Sequence, residues 1–279
     1  MSRAEPTDEL RRKLALQQPD RWSLTERNSQ MVASQKAAAP HVNRLLGLLP
    51  PRDYERLRPH LQPITLGYRK LLCHANKPIK FVYFIETGVG SLVNTMKNGQ
   101  AAASGTIGNE GMVGLPIVFG DDRAPTSVYV QVPGAGLRIT ATLFTEELAR
   151  SASMRAVMLR YAHAVFIQVA QSAACHQFHS IQQRSCRWML MTHDRMQSDG
   201  FLLTQEILAM MLGVQRTGIS AVASALQRDG LISYKRGNVT IIDRAGLERR
   251  SCECYGVSKM EFDRLLGARV KRKVTASKM

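Results

Sequence analysis

The chain has 279 residues, a length that favours two domains with flanking segments over one domain. Hydrophobic residues make up 44% of it and charged residues 22%, which is typical of a soluble globular protein and argues against a disordered one. With 38 Lys and Arg against 22 Asp and Glu the net charge is +16, so we expect a polyanionic partner, with nucleic acid ahead of a membrane surface.

The cysteines and the first residues indicate the compartment. The five cysteines, an odd number, lack the C-x2-C spacing of a zinc or iron–sulfur site, so we expect reduced thiols and no metal. A metal held by Cys252 and Cys254 is the alternative. No apolar run approaches 18 residues, and the N-terminus lacks the apolar middle of a signal peptide. These features predict a cytoplasmic protein with no membrane partner.

The N-terminal half divides into an extension and a strand-rich domain. Residues 1–40 carry no sustained helical period, which predicts a mostly disordered extension. The domain predicted over residues 41–150 starts with short helices that are broken at Pro50-Pro51. Short strand-like runs follow, and Asn98-Gly99 predicts a type I′ hairpin between two of them. The runs, "FVYFIETG", "GSLVNT", "SVYVQVPG" and "GLRIT", indicate an antiparallel roll or barrel.

A long helix is predicted over residues 151–179, opening at Ser153. Its apolar residues recur at alternating spacings of three and four, which is typical of a seam that packs on a partner helix. Bulky residues alternate with alanines, so we expect a two-fold dimer; packing of the stripe on its own barrel is the alternative. The predicted dimer seam comprises Leu159, Ala162, Phe166, Val169 and Ala173.

The next domain is predicted to begin at the capping box of Ser180 and Gln183, so the boundary lies at about 179/180. Further on, "LTQEILAMMLGVQRTGISAVASAL" contains two short apolar-periodic runs. Thr204 is a good N-cap for the first, and Gly213 can end it in the left-handed conformation. A second helix is then expected from Gln215 or Arg216.

The outer face of that second helix is small and polar, as a helix entering a DNA major groove requires. We expect four residues on it to face base edges: Arg216, Thr217, Ser220 and Ser224. Downstream, "GLISYKRGNVTII" predicts a strand, a turn and a strand with a basic tip, well placed to bind phosphate. The predicted backbone contacts are Thr204, Gln215, Lys235, Arg236 and Asn238. An ordinary helical hairpin in a core is the alternative.

The predicted winged helix-turn-helix domain covers residues 180–250, and residues 251–279 complete the chain. Asp243 is expected to cap one helix after the wing. Ser258 and Glu261 suggest a capping box for another. The tail "RVKRKVTASK" is a basic arm that would add nonspecific DNA affinity.

In this order of parts, and in "FVYFIETGVGSLV" and "LTQEILAMMLGVQRTGISAVASALQRDGLISYKRG", the chain resembles the Crp/Fnr family of bacterial transcription regulators. The resemblance implies an α+β fold: an N-terminal antiparallel β-roll of the cyclic-nucleotide-binding kind, a long dimerisation helix and a C-terminal winged helix-turn-helix. It implies a homodimer on a palindromic double-stranded DNA operator, with RNA polymerase as a further partner. Arg216 matches the family's early base-reading arginine, but Thr217 and Ala221 depart from the catabolite-activator pattern.

The predicted effector pocket departs further from the family. Glu110 and Arg123, with Thr126, echo the residues that hold a cyclic phosphate, but their spacing is longer and Asp121-Asp122 adds negative charge. The positions of the family's Thr-Ser pair hold Val169 and Ala170. We therefore expect no usual cAMP site, no cofactor and an effector that the sequence does not identify. The alternative for Arg123 is a surface pair with its acidic neighbours.

Other classes of protein fit the residues less well. An iron–sulfur sensor needs clustered N-terminal cysteines, and none precedes Cys73. Haem could use Cys73 or His74, although an ordinary buried thiol also explains that cysteine. An enzyme built on the roll would need a metal triad, whereas His74 is the only histidine between Ile64 and Ile139. We expect a regulator without catalytic activity; the alternative is a second-messenger or small-molecule sensor that acts mainly through protein partners.

Overall fold

The computed structural model describes residues 43–196 and 198–267, so the predicted N-terminal extension and basic tail lie outside the described residues. Two short helices, α1 (Arg44–Gly47) and α2 (Pro51–Leu57), begin the fold. Asn43 caps α1 by accepting from the backbone N–H groups of Leu45 and Leu46, and a proline occupies the first turn of α2. The predicted break at Pro50-Pro51 is confirmed. A 3-10 turn (Arg58–His60) leads into the strands.

Two four-stranded antiparallel sheets form the roll, which confirms the predicted fold class. Their orders are β1-β8-β3-β6 and β2-β7-β4-β5. Side chains from both sheets contribute to one core, in which β3 buries four consecutive residues, 82–85. The strands are β1 (Gln62–Leu66), β2 (Leu71–Cys73), β3 (Phe81–Ile85), β4 (Val89–Thr95), β5 (Ala101–Ile107), β6 (Met112–Val113), β7 (Ser127–Val132) and β8 (Gly134–Thr140).

The hairpin between β4 and β5 lies where it was predicted, but its turn is of another type. Gly99 has a φ of +82°, whereas Asn98 is not among the residues with positive φ. The N–H of Gly99 donates to the carbonyl of Met96, and the N–H of Met96 donates to the carbonyl of Gln100. A longer loop with glycine in the left-handed position therefore replaces the predicted type I′ turn.

Helix α3 (Ala141–Arg150) leads into the long helix α4 (Ala152–Phe178). The predicted start at Ser153 is two residues late for the cap, because the Ser151 hydroxyl accepts from the N–H of Met154. Helix α5 (Ile181–His193) begins with the predicted capping box, in which Ser180 and Gln183 bond reciprocally. It ends at His193.

The C-terminal part that the structure describes combines five helices, α5 included, with a three-stranded sheet of order β10-β11-β9. Its elements after α5 are β9 (Gly200–Leu202), α6 (Gln205–Leu212), α7 (Arg216–Arg228), β10 (Ile232–Lys235), β11 (Asn238–Ile241), α8 (Arg244–Arg250) and α9 (Cys254–Leu266). Asp243 caps α8 as predicted. The capping box predicted at Ser258 is wrong, because Ser258 is buried inside α9, which begins four residues earlier.

The C-terminal part packs against the roll instead of standing apart from it. Helix α6 lies on β5, and one apolar cluster joins Val89, Val93 and Ala103 of the roll to residues of α5 and α6. Helix α9 packs along α4. Within the described residues no single helix is long and apolar enough to cross a bilayer; α6 and α7 meet that criterion only as a pair, across a bend.

Candidate DNA interface

Helices α6 and α7 meet at a bend of 113°, within the range of a helix-turn-helix unit. The Thr204 hydroxyl caps α6 by accepting from the N–H of Ile207, as predicted. Gly213 ends α6 with a φ of +62°, a conformation that glycine adopts without strain. Gln215 stands at the N-cap of α7 without a side-chain hydrogen bond, so packing must hold this helix start.

The two faces of α7 divide as its sequence pattern predicts. Ile219, Ala223 and Leu226 are buried, whereas Val222 is only half-buried. Exposed positions on the opposite face are Arg216, Thr217, Ala221 and Ser224, with Ser220 half-buried beside them. The side chains on this face are short apart from Arg216, so the backbone of α7 can approach a duplex closely.

Two neighbours of the recognition face come from α6, and the sequence pattern does not predict them. Glu206 Oε1 lies 2.8 Å from Arg216 Nη1, and the Ser220 hydroxyl donates to Gln205 Oε1 at 2.6 Å. The Arg216 side chain is 65% exposed, so solvent screens this pair and a base edge can compete for the guanidinium. The motif "TQE" could have indicated these contacts, since its residues open the helix that crosses α7.

The wing is a two-residue hairpin between β10 and β11. Lys235 pairs with Asn238, while Arg236 and Gly237 take φ values of +50° and +80°, as a type I′ turn requires. Lys235, Arg236 and Asn238 are exposed. The N–H of Leu203 donates to the carbonyl of Gly237 at 2.8 Å, which holds the basic tip beside the start of α6. Gln215 is exposed and Thr204 half-buried on the same side.

Two protein-family models match the chain in the order of this architecture. The Cyclic nucleotide-binding domain matches residues 66–151, and the Crp-like helix-turn-helix domain matches residues 183–250. Together they cover more than half of the chain. The chain belongs to the Crp/Fnr family of transcription regulators.

Solved structures share the fold of this Crp/Fnr regulator at low sequence identity. FixK2 from Bradyrhizobium japonicum is 12% identical with a TM-score of 0.56, over 69% of this chain and 98% of that one. The c-di-GMP-responsive global regulator CLP from Xanthomonas campestris is 18% identical with a TM-score of 0.54, over 69% and 99%. A CRP-family transcriptional regulator from Thermus thermophilus is 17% identical with a TM-score of 0.56, over 68% and 96%. A search of curated protein sequences finds no significant match.

Glu110, predicted in the effector pocket, contacts the DNA-binding half of this Crp/Fnr regulator. The Glu110 carboxylate is 1% exposed and lies 2.6 Å from the Arg195 guanidinium, just past the end of α5. Arg195 also donates to the carbonyl of Met191, and Glu110 accepts from the N–H of Gly108. Burial, with the charge of Glu110 nearby, raises the pKa of Tyr161 beside this pair. The carboxylate is therefore engaged in an ion pair between the two halves.

The other two predicted pocket residues do not join Glu110. Arg123 is exposed and pairs with Asp122 at 3.3 Å, the surface alternative that its acidic neighbours suggested. Thr126 lines a small cavity of about 40 Å³ inside the roll, with apolar residues such as Ile107, Met112 and Val128. Among the described residues, no charged side chain lines this cavity. A cyclic phosphate would find no charge partner there.

The predicted dimer seam on α4 divides between two environments. Phe166 is 70% and Leu159 45% exposed, and Ala173 is also exposed. Ala162 is buried, and Val169 is half-buried against the core of the roll. The exposed members of the seam therefore alternate with members that pack within the chain, and the dimer itself stays a prediction.

Proposed function

We propose that this Crp/Fnr regulator binds a palindromic DNA operator as a homodimer, with α7 of each subunit in successive major grooves. The observation that carries the proposal is the exposed, small and polar face of α7 beside the exposed basic wing. In this assignment Arg216, Thr217, Ser220 and Ser224 face base edges. Thr204, Gln215 and the wing residues Lys235, Arg236 and Asn238 face the phosphates.

The experiment that tests the proposal is a mobility-shift titration on fragments of the source genome at several salt concentrations. A regulator of this kind prefers particular fragments, and its affinity falls steeply as salt rises. Equal binding to all fragments would contradict the proposal. Binding to protein partners alone would favour the sensor alternative.

Changing Lys235 and Arg236 together to Ala should weaken binding to every DNA sequence by a similar factor. Each lost phosphate contact should reduce the slope of log K against log salt by about 0.9. The slope is measured by fluorescence anisotropy on a preferred and an unrelated duplex. Lys80 and Lys97 are exposed lysines of the roll, and their double change to Ala is the charge-matched control. A loss confined to one sequence, or an equal loss in the control, would remove the wing from the phosphate-binding surface.

We assign dimerisation to the exposed side of α4, because large apolar side chains on a helix surface are typical of an interface. Phe166→Asp should convert a dimer to a monomer, since a carboxylate at that contact would be buried without a partner. Sedimentation equilibrium measures the mass. Met260→Asp, at a 64% exposed site on α9, is the control and should leave the dimer intact. A dimeric Phe166→Asp variant would place the interface elsewhere.

The roll then serves as an effector domain that lacks the usual cAMP site. The apolar cavity and the engaged Glu110 support this assignment. We propose no catalytic activity for the protein and place its action in the cytoplasm, where chromosomal DNA lies. RNA polymerase remains a predicted partner.

A further inference from the structure

Four metal-ligating side chains meet where the end of α4 contacts the start of α9. Cys175 and His179 come from the end of α4, and Cys252 and Cys254 come from the turn into α9. The sequence predicts no metal here, because Cys252 and Cys254 alone lack zinc-site spacing. Folding adds the other two residues, which lie about 75 positions earlier.

The separations between the ligand atoms fit a single tetrahedral ion. Cys175 Sγ lies 3.5 Å from Cys252 Sγ, and Cys254 Sγ lies 3.5 Å from His179 Nδ1. All four ligand atoms lie within 4.8 Å of one another. A zinc ion with bonds of about 2.3 Å to sulfur and about 2.05 Å to nitrogen separates its ligands by about 3.6 to 3.8 Å. Small side-chain movements would therefore complete the site.

The imidazole of His179 is oriented as a metal ligand requires. Its Nδ1 faces the sulfurs, while its Nε2 lies 3.2 Å from a carboxylate oxygen of Glu253. A carboxylate on the second nitrogen fixes the tautomer and raises the basicity of the ligating nitrogen. The N–H of His179 also donates to the carbonyl of Cys175, which places both ligands on one face of the helix end.

Two polar side chains, Gln171 and Arg187, lie near the sulfurs. Gln171 donates to Cys254 Sγ at 3.0 Å. Arg187 is 3% exposed and donates to the Ser172 hydroxyl, and in the described part of the chain no carboxylate pairs with it. The positive charge of Arg187 acts on the Cys175 sulfur. Three thiolates and one imidazole around Zn²⁺ carry a net charge of −1, which Arg187 would balance.

We propose that Cys175, His179, Cys252 and Cys254 form a structural zinc site that ties the long helix α4 to the C-terminal helix α9. Three buried sulfurs and one imidazole make a closed four-ligand set of soft donors, which favours zinc and leaves no open position for catalysis. The site would fix the helix that follows the winged unit on the helix that precedes it. It stands independently of the DNA contacts assigned above.

The test is the metal content of the full-length chain, purified untagged under reducing conditions from zinc-supplemented medium. Inductively coupled plasma mass spectrometry should find about one zinc ion per chain. Cys252→Ser with Cys254→Ser should lower that content at least about tenfold. The matched control changes Cys73 and Cys186, two buried thiols outside the cluster, to Ala and should retain the zinc.

A second measurement does not depend on how the variants fold. Replacement of zinc by Co²⁺ in the unmutated chain should give the thiolate charge-transfer band and the intense visible bands of a tetrahedral cobalt site. Zinc far below one ion per chain together with an octahedral cobalt spectrum would overturn the proposal. So would stoichiometric iron or copper, or a Cys175–Cys252 disulfide in the metal-free chain.

Discussion

Arg195→Met should lower the free energy of unfolding by about 3 to 5 kcal/mol, because it leaves Glu110 as a buried charge without its cation. The two charges lie 85 residues apart in sequence and both are almost fully buried. Since the pair joins the roll to the end of α5, its loss should also weaken the contact between the two halves. Urea unfolding followed by far-UV circular dichroism measures the change.

Two further variants test whether loss of the buried ion pair causes the lower stability of the Arg195→Met variant. Replacing both partners, as Glu110→Leu with Arg195→Met, should recover most of the lost stability, because apolar side chains of similar size can occupy the site. Arg123→Met removes an arginine from an exposed pair and should leave the urea midpoint unchanged. A loss below about 1 kcal/mol in the Arg195→Met variant would show that Glu110 lies in a wetter environment than its burial indicates.

Arg216→Ala should weaken binding to a preferred DNA site by about 1 to 3 kcal/mol and relax the preference at one base pair of each half-site. Arg216 stands at the first position of α7 and forms an ion pair with Glu206 in which both side chains are exposed. The guanidinium can therefore exchange this carboxylate for the two acceptors of a guanine. Affinities for a panel of single-base variants of the site measure both effects.

The control for this prediction is Arg228→Ala, which removes the same charge from the far end of the same helix. Arg228 is exposed, and its guanidinium lies 3.9 Å from Asp229. Its loss should change affinity for all duplexes equally and leave the base preference intact. If the Arg216→Ala variant keeps the full preference of the unmutated chain, base reading belongs to other residues of α7.

The sequence predicts the elements whose ends depend on local chemistry. Ser180, Thr204 and Asp243 cap helices as expected, and Gly213 ends α6, because a cap needs only residues within one helical turn. The type of the hairpin turn at Gly99 was wrong, since several turns accept Asn-Gly. Ser258 and Glu261 match a capping box but lie inside α9, because burial against neighbouring helices extends that helix beyond the local signal.

The contacts hardest to predict from the sequence join distant segments. The sequence places Glu110 and Arg123 in one predicted pocket because they are close along the chain. The observed partner of Glu110 is Arg195, which comes after the long helix α4. Cys175 and Cys252 are 77 positions apart, so no spacing rule could pair them. The contact between α4 and α9 is also long-range, because periodicity shows that one side of α4 is apolar but not which element packs against that helix.

Selection of bound duplexes from a randomised pool tests whether paired α7 helices read DNA. We predict that the full-length chain enriches a two-fold symmetric motif whose half-sites lie about 10 to 10.5 base pairs apart, one turn of DNA. The Arg216→Ala variant should enrich the same spacing with one position in each half-site degenerate. Enrichment of no motif, or of a single half-site by a monomeric protein, would contradict the insertion of paired α7 helices into successive major grooves.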